Sequence, residues 1–253
     1  MTSLHVSTHG RVSRLVLDRP SALNALTPET LEAVIEACRN LSDSDVRLVV
    51  LEGAGETFSA GADLPAFFEA FGRSSPRKVA DLGRRAAEAL TDLPQISVAL
   101  IRGHCVGGGV VLAGACDLRV ATSETQFLIP ELDAGIPLAW GGLERLVGLV
   151  GESVAADWVL TCRRFDAEEA LRAGLLTRVV TSEAFGRETE TLVNALSERP
   201  AVGLRATKRQ LQQLRSGRYD ARADADALLA AMADPEAQAL SRAYVERKIR
   251  KRS

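Results

Sequence analysis

Residues 12–17 (VSRLVL) and 46–51 (VRLVVL) are rich in Val and Leu and read as β-strands, the residue types that suit a pleated, half-buried surface. Between them, TPETLEAVIEACRNL reads as a helix. Leu31, Val34, Ile35 and Cys38 fall on one of its faces, Thr27 is placed to accept from a first-turn N–H, and Pro28 sits where no N–H is needed. SVALI (97–101) is a short apolar strand, three glycines follow it, and the apolar run 110–115 has helical character. DLRVA (117–121) is a further strand. Strands alternating with helices predict an α/β layer structure.

Towards the C-terminus the period changes. DAEEALRAG reads as a helix with Asp166 and Glu169 as a capping box and Gly174 as its stop. From about residue 183 onward only helical periods occur, and PAVGLRATKRQLQQL and PEAQALSRAYVERKI each open with Pro at a first-turn position. The expected division is an α/β core over 1–195 and a helical region over 196–253.

With 46% hydrophobic residues, 25% charged residues and a formal net charge of -2, the composition is that of an ordinary globular chain. It gives no electrostatic reason to expect nucleic acid as a partner. The start of the sequence has no apolar signal region, and no apolar run is long enough for a membrane span, so a cytoplasmic location is expected. Cys38, Cys105, Cys116 and Cys162 show no metal-ligand spacing and there are only three His, so no metal is expected and the cysteines read as reduced and mostly buried.

Gly107, Gly108 and Gly109 stand between the strand at 97–101 and the helix at 110–115. Three readings compete. A phosphate cradle fits poorly, because neither GxGxxG nor a following Lys-Ser/Thr is present; the same absence argues against a dinucleotide oxidoreductase. A tight turn without a ligand is the second. An oxyanion hole is the third, since a bare backbone N–H at a helix start can donate to a developing negative oxygen. FSAGADL (58–64), another small-residue turn after a strand, offers a second donor.

RPSALNALT, FSAGADL, IRGHCVGGGVVLAGACDLRVA and FLIPELDAGIPLAWGG, in this order, resemble the crotonase superfamily of enoyl-CoA hydratase/isomerase enzymes. The resemblance runs from about Arg11 to about Val180 and is weaker in the tail. It implies an α/β fold of ββα spiral turns with a C-terminal helical region that packs homotrimers, often paired into hexamers. It also implies acyl-CoA thioesters as substrates, with no cofactor beyond the CoA they carry. By motif match, the N–H groups of Ala60 and Gly108 hold the thioester carbonyl. Asn24, Ala25 and Leu26 match the segment lying along the CoA, and Arg19 is a candidate for its phosphates or else a solvated charge. Ala62, Asp63 and Leu64 fall beside the substrate, with Asp63 expected to cap the next helix. Phe67, Phe68 and Phe71 are either acyl-pocket wall or core. Lys208, Lys248 and the basic run Arg247 to Arg252 match tail positions that reach CoA phosphates, or are solvated surface. His104 and Cys105 match no catalytic position and are expected to be buried and structural.

Hydratases of this superfamily carry two glutamates. One matches Glu131; the place of the other is taken by Val111. A single carboxylate can still move a proton between C2 and C4 of an enoyl-CoA, so Glu131 with Val111 favours double-bond isomerisation over hydration. Asp133 is the candidate substitute acid, if its segment is not helical. Trp140 stands where the superfamily's hydratases have a smaller, Gly-rich stretch, and is expected to reshape the acyl pocket or pack in the core.

Overall fold

The computed structural model of the chain describes residues 3–250. Strands β1 (Leu4–His9), β2 (Val12–Leu17), β3 (Leu48–Gly53), β4 (Ile96–Ile101), β6 (Leu118–Thr122) and β9 (Arg178–Val180) form one sheet in the order β1-β2-β3-β4-β6-β9. β1 and β2 are antiparallel and every later pairing is parallel. Three short strands, β5 (His104–Val106), β7 (Gln126–Leu128) and β8 (Phe165–Asp166), make a second small sheet.

The parallel strands are apolar on both faces because both faces are covered. In β3, Val49 and Leu51 point into one core, Leu48 and Val50 into the other. The larger core is closed by α1 (Pro28–Ser42), α3 (Pro76–Asp92) and α4 (Gly108–Ala115). The smaller is sealed by α8 (Ser182–Ser197) through Phe185, Leu192 and Val193. The boundary expected near residue 195 thus falls in the last turn of a helix that packs on the sheet. Beyond it lie α9 (Ala201–Arg215), α10 (Asp224–Ala233) and α11 (Pro235–Arg250).

Local signals hold well. Thr27 accepts from Thr30 N at 3.2 Å, and Gly174 ends α7 (Ala167–Ala173) at φ +92°. The expected capping box is only half closed. Asp166 accepts from Glu169 N at 2.7 Å, but the Glu169 carboxylate is drawn away to Trp158 Nε1 at 3.0 Å and to Arg163. β3 starts two residues later than its apolar run, because Val12 pairs with Leu48 while Val46 is already buried beside the sheet. All four cysteines are buried and unpaired; burial pushes the Cys38 and Cys116 thiols up to about 12 and Cys105 up as well.

Lys208 departs from both of its expected roles. From α9 it enters the protein, 1% exposed, and its Nζ donates to Gln95 O at 2.7 Å and to Asp117 Oδ2 at 2.8 Å. Asp117 Oδ2 also accepts from Ser97 N at 2.8 Å. The charge is tied to the sheet and does not reach solvent. Lys248 and Arg247 are exposed and lie over the Tyr244 ring, at 5.6 and 5.7 Å. Residues 251 and 252 of the basic run lie outside the described residues. Among the described residues no helix is long and apolar enough to cross a membrane.

Removing one partner of a buried ion pair leaves the other uncompensated, at a cost of about 3–5 kcal/mol. Lys208→Met is therefore expected to lower the stability by that order, read as a lower urea midpoint, whereas Lys248→Met leaves it unchanged within about 0.5 kcal/mol.

Candidate active site

The site lies beyond the C-terminal ends of β2, β3 and β4, where parallel sheets place their ligands. The loop after β2 turns through Leu23 and Asn24, both left-handed at φ +51° and +54°. Asn tolerates that conformation, and its buried side chain stands in for missing backbone partners. Its Oδ1 accepts from Arg19 N at 2.9 Å, and its Nδ2 donates to Ala54 O at 2.9 Å and Thr57 O at 2.6 Å.

The loop after β3 is laced onto this one. Ala60 N donates to Leu23 O at 2.8 Å, Leu26 N to Gly61 O at 2.8 Å, and Asp63 N to Leu26 O at 2.9 Å. Arg19 adds an inward clamp, with Nη1 2.7 Å from Ala25 O and 2.9 Å from Asp63 Oδ2. One guanidinium nitrogen is thus committed within the protein, while the side chain stays 30% exposed. The other Asp63 oxygen caps α2 (Leu64–Arg73), as expected, accepting from Ala66 N at 3.2 Å.

The third segment follows β5. Gly107 takes φ +49°, donates its N–H to Leu128 O at 2.8 Å, and opens α4 at Gly108. An N–H in the first turn of a helix has no partner inside that helix. Among the described residues neither Gly108 N–H nor Ala62 N–H has an acceptor, and both residues line the same cavity. Gly61, at φ +89°, brings the two loops together: a Cβ there would lie 2.8 Å from Val106 O and 3.6 Å from Gly108 N. Ala60 is therefore not the second donor. Its N–H is spent on Leu23 O, and it does not line the cavity. In Ala-Gly-Ala the two alanines are indistinguishable by type, and only the loop ladder separates them.

The cavity is open to solvent, and the space within it and its mouth together is about 890 Å³. Phe67 and Phe71 of α2, Val111 of α4 and Trp140 are part of its apolar wall, while Phe68, 68% exposed, stands in it at the surface. Among the described residues, Glu131 is the one ionisable residue in the lining. Its Oε1 faces Gly107, where a Cβ would come within 2.5 Å. Its Oε2 is buried without a hydrogen-bond partner, and burial raises the carboxyl above its ordinary range.

Asp133 is not part of this site. Residues 130–136 form a helical turn, closed by Ala134 N to Pro130 O at 3.1 Å and Ile136 N to Glu131 O at 3.0 Å. Residues two apart on such a turn diverge, and Asp133 is exposed and outside the lining. His104 is also exposed, contrary to expectation, because it occupies the outward position of β5 while Cys105 points into the core. Ile136 and Leu138 also join the cavity; they lie in the FLIPELDAGIPLAWGG motif, but an irregular segment has no period to single them out. Gly83, buried in α3 under the Trp140 ring, was detectable only as a glycine inside a helical pattern.

A carboxylate whose native-state pKa is raised by burial contributes stability that is full below its unfolded value and is lost as pH rises through the raised value. Glu131→Gln has no such loss. The variant is expected to melt higher than the parent on the alkaline side and to converge with it in acid, which thermal melts across pH would read.

Comparisons with known proteins bear on the family to which the whole chain belongs. The family model for enoyl-CoA hydratase/isomerase matches residues 7–250. A short-chain-enoyl-CoA hydratase from Clostridium acetobutylicum is 32% identical over 215 residues, 84% of this chain and 82% of that protein. A carnitinyl-CoA dehydratase from Citrobacter koseri is 36% identical over 211 residues, covering 81% and 78%. The crystal structure of a putative enoyl-CoA hydratase from Thermobifida fusca, in complex with acetoacetyl-CoA, superimposes with a TM-score of 0.84 at 32% identity, covering 92% of this chain and 95% of that one. Motif order, fold and family match thus lead to one assignment: the chain belongs to the enoyl-CoA hydratase/isomerase family.

Proposed function

We propose that the protein moves the double bond of an enoyl-CoA, with Glu131 as the single proton shuttle and the N–H groups of Ala62 and Gly108 as the oxyanion hole. The observation that carries this reading is that, among the described residues, Glu131 is the only ionisable side chain lining the cavity, with Oε2 buried and unpartnered. The thioester carbonyl oxygen of a 3-enoyl-CoA would accept from both N–H groups. Glu131 removes a proton from C2, the electron pair moves to the carbonyl oxygen as an enolate, and the same carboxyl returns the proton at C4. The C3–C4 double bond becomes C2–C3, and atoms and charge balance. Each donor is worth about 3 kcal/mol to the enolate-like transition state. A carboxyl raised by burial is a stronger base than an ordinary one, which suits carbon acid chemistry.

The names of the relatives favour a second reading, hydration of a 2-enoyl-CoA. That reaction would need Glu131 to hold and deprotonate water alone, because Val111 is apolar and Asp133 points away. CoA enters both readings as part of the substrate. The homotrimer or hexamer expected of the family is supported by exposed apolar side chains on α10 and α11, among them Leu228, Met232 and Tyr244.

The test is a paired assay of the purified chain on a 3-enoyl-CoA and on a 2-enoyl-CoA in water. Isomerisation without hydration is expected, with turnover rising with pH through the raised Glu131 value, since the base form is the active one. Glu131→Gln should lower turnover by a factor of about 10²–10⁴ while leaving acyl-CoA affinity nearly unchanged. Clear hydration would favour the second reading. Acyl-CoA binding without either reaction would leave a binding protein.

A further inference from the structure

We infer that Trp140 is a specificity-determining residue that excludes acyl groups branched beside the thioester and admits straight apolar chains. This rests on the acyl-CoA reading above and names the substrate class of the same site.

The indole is wedged between two glycines from different helices. A Cβ on Gly108 would overlap its six-membered ring, and a Cβ on Gly83 would overlap the ring junction. Gly83 is buried and does not line the cavity, whereas Ala80, a turn earlier on α3, does. The indole is therefore the cavity wall on that side, and Phe67 braces it at a centroid distance of 5.8 Å.

Seating the ring involves two choices that are locally unfavourable. Gly83 is a glycine in a helix interior. Trp140 is a bulky residue in the left-handed region, at φ +61°. Both bear on one indole, which lies against the first residue of α4. Strain that converges on a ligand cavity points to a role in that cavity.

The position of the ring decides which part of a substrate it meets. Gly108 supplies an N–H to the thioester oxygen, so the carbons next to the thioester lie beside the residue that the indole touches. A methyl branch or ring there meets the indole. A straight chain has another way out, because the cavity is open and Phe68 stands exposed in its lining. With Glu131 the only ionisable group in the lining, a charged acyl group finds no partner there, and the selected class is straight and apolar.

The test uses saturated acyl-CoA esters, which bind without any double bond to move, and reads affinity by titration calorimetry. Wild-type protein is expected to bind butanoyl-CoA about tenfold or more tighter than isobutanoyl-CoA. Trp140→Ala should bring the two within about threefold by a gain for the branched ester, with Trp140→Phe in between. A wild-type protein without preference, or a preference unchanged in whichever variants melt cooperatively, would overturn the inference. If Trp140→Ala does not fold, Trp140→Phe carries the comparison alone. Wild-type protein that binds neither ester would remove the acyl-CoA reading itself, and the inference with it.

Discussion

Ala60 N–H donates to Leu23 O, and by that bond the loop after β3 is fixed against the loop after β2. The bonds that follow it, from Leu26 N to Gly61 O and from Asp63 N to Leu26 O, pair the neighbours of Ala62 and pass Ala62 itself by. Buried backbone groups are nearly always paired, so an unpaired N–H held in place by paired neighbours is a constructed feature. At Gly108 the same result comes from helix geometry, because the first N–H groups of α4 have no carbonyl one turn back. Two N–H groups beside one cavity are thus left without partners by separate means, one a loop ladder and the other a helix start.

Much of the surrounding chemistry preserves that arrangement. Asn24 fills the backbone partners lost in a left-handed turn, and Arg19 ties Ala25 O to Asp63. Asp63 divides its two oxygens between that clamp and the first turn of α2. The helix that carries Phe67 and Phe71 into the cavity is thereby anchored one residue from Ala62. Arg19 and Asp63 thus brace the loops, and Glu131 is the ionisable group that the described residues place in the cavity lining.

Glu131 owes its raised pKa to burial, with no neighbouring charge to hold it down. Its position depends on a short helical turn, 130–136, that faces one carboxylate inward and leaves Asp133 in solvent. Gly107 leaves room for the carboxyl beside it, and Gly108 leaves room for the Trp140 ring. The glycine run thus serves three ends at once: a left-handed entry to the helix, space for the carboxyl, and a bare N–H under an indole.

The sequence by itself determined the elements that rest on local physics. Runs of Val and Leu, the Thr27 cap, the Gly174 stop and the glycine run all act within a few residues, so their signals lie in the chain where they are used. The order of the motifs also disclosed the family and pointed to Gly108 and Glu131. Tertiary structure alone decided which alanine of FSAGADL keeps its N–H free, since residue type is the same at both positions and only a carbonyl 37 residues away, at Leu23, consumes the one at Ala60. It also decided that Lys208 is buried against Asp117 and that Arg19 turns inward, because the partner of a long charged side chain is chosen by what packs beside it. Gly83 and Trp140 are far apart in sequence and ordinary when read singly; their meaning exists only where α3, α4 and the 131–140 segment meet.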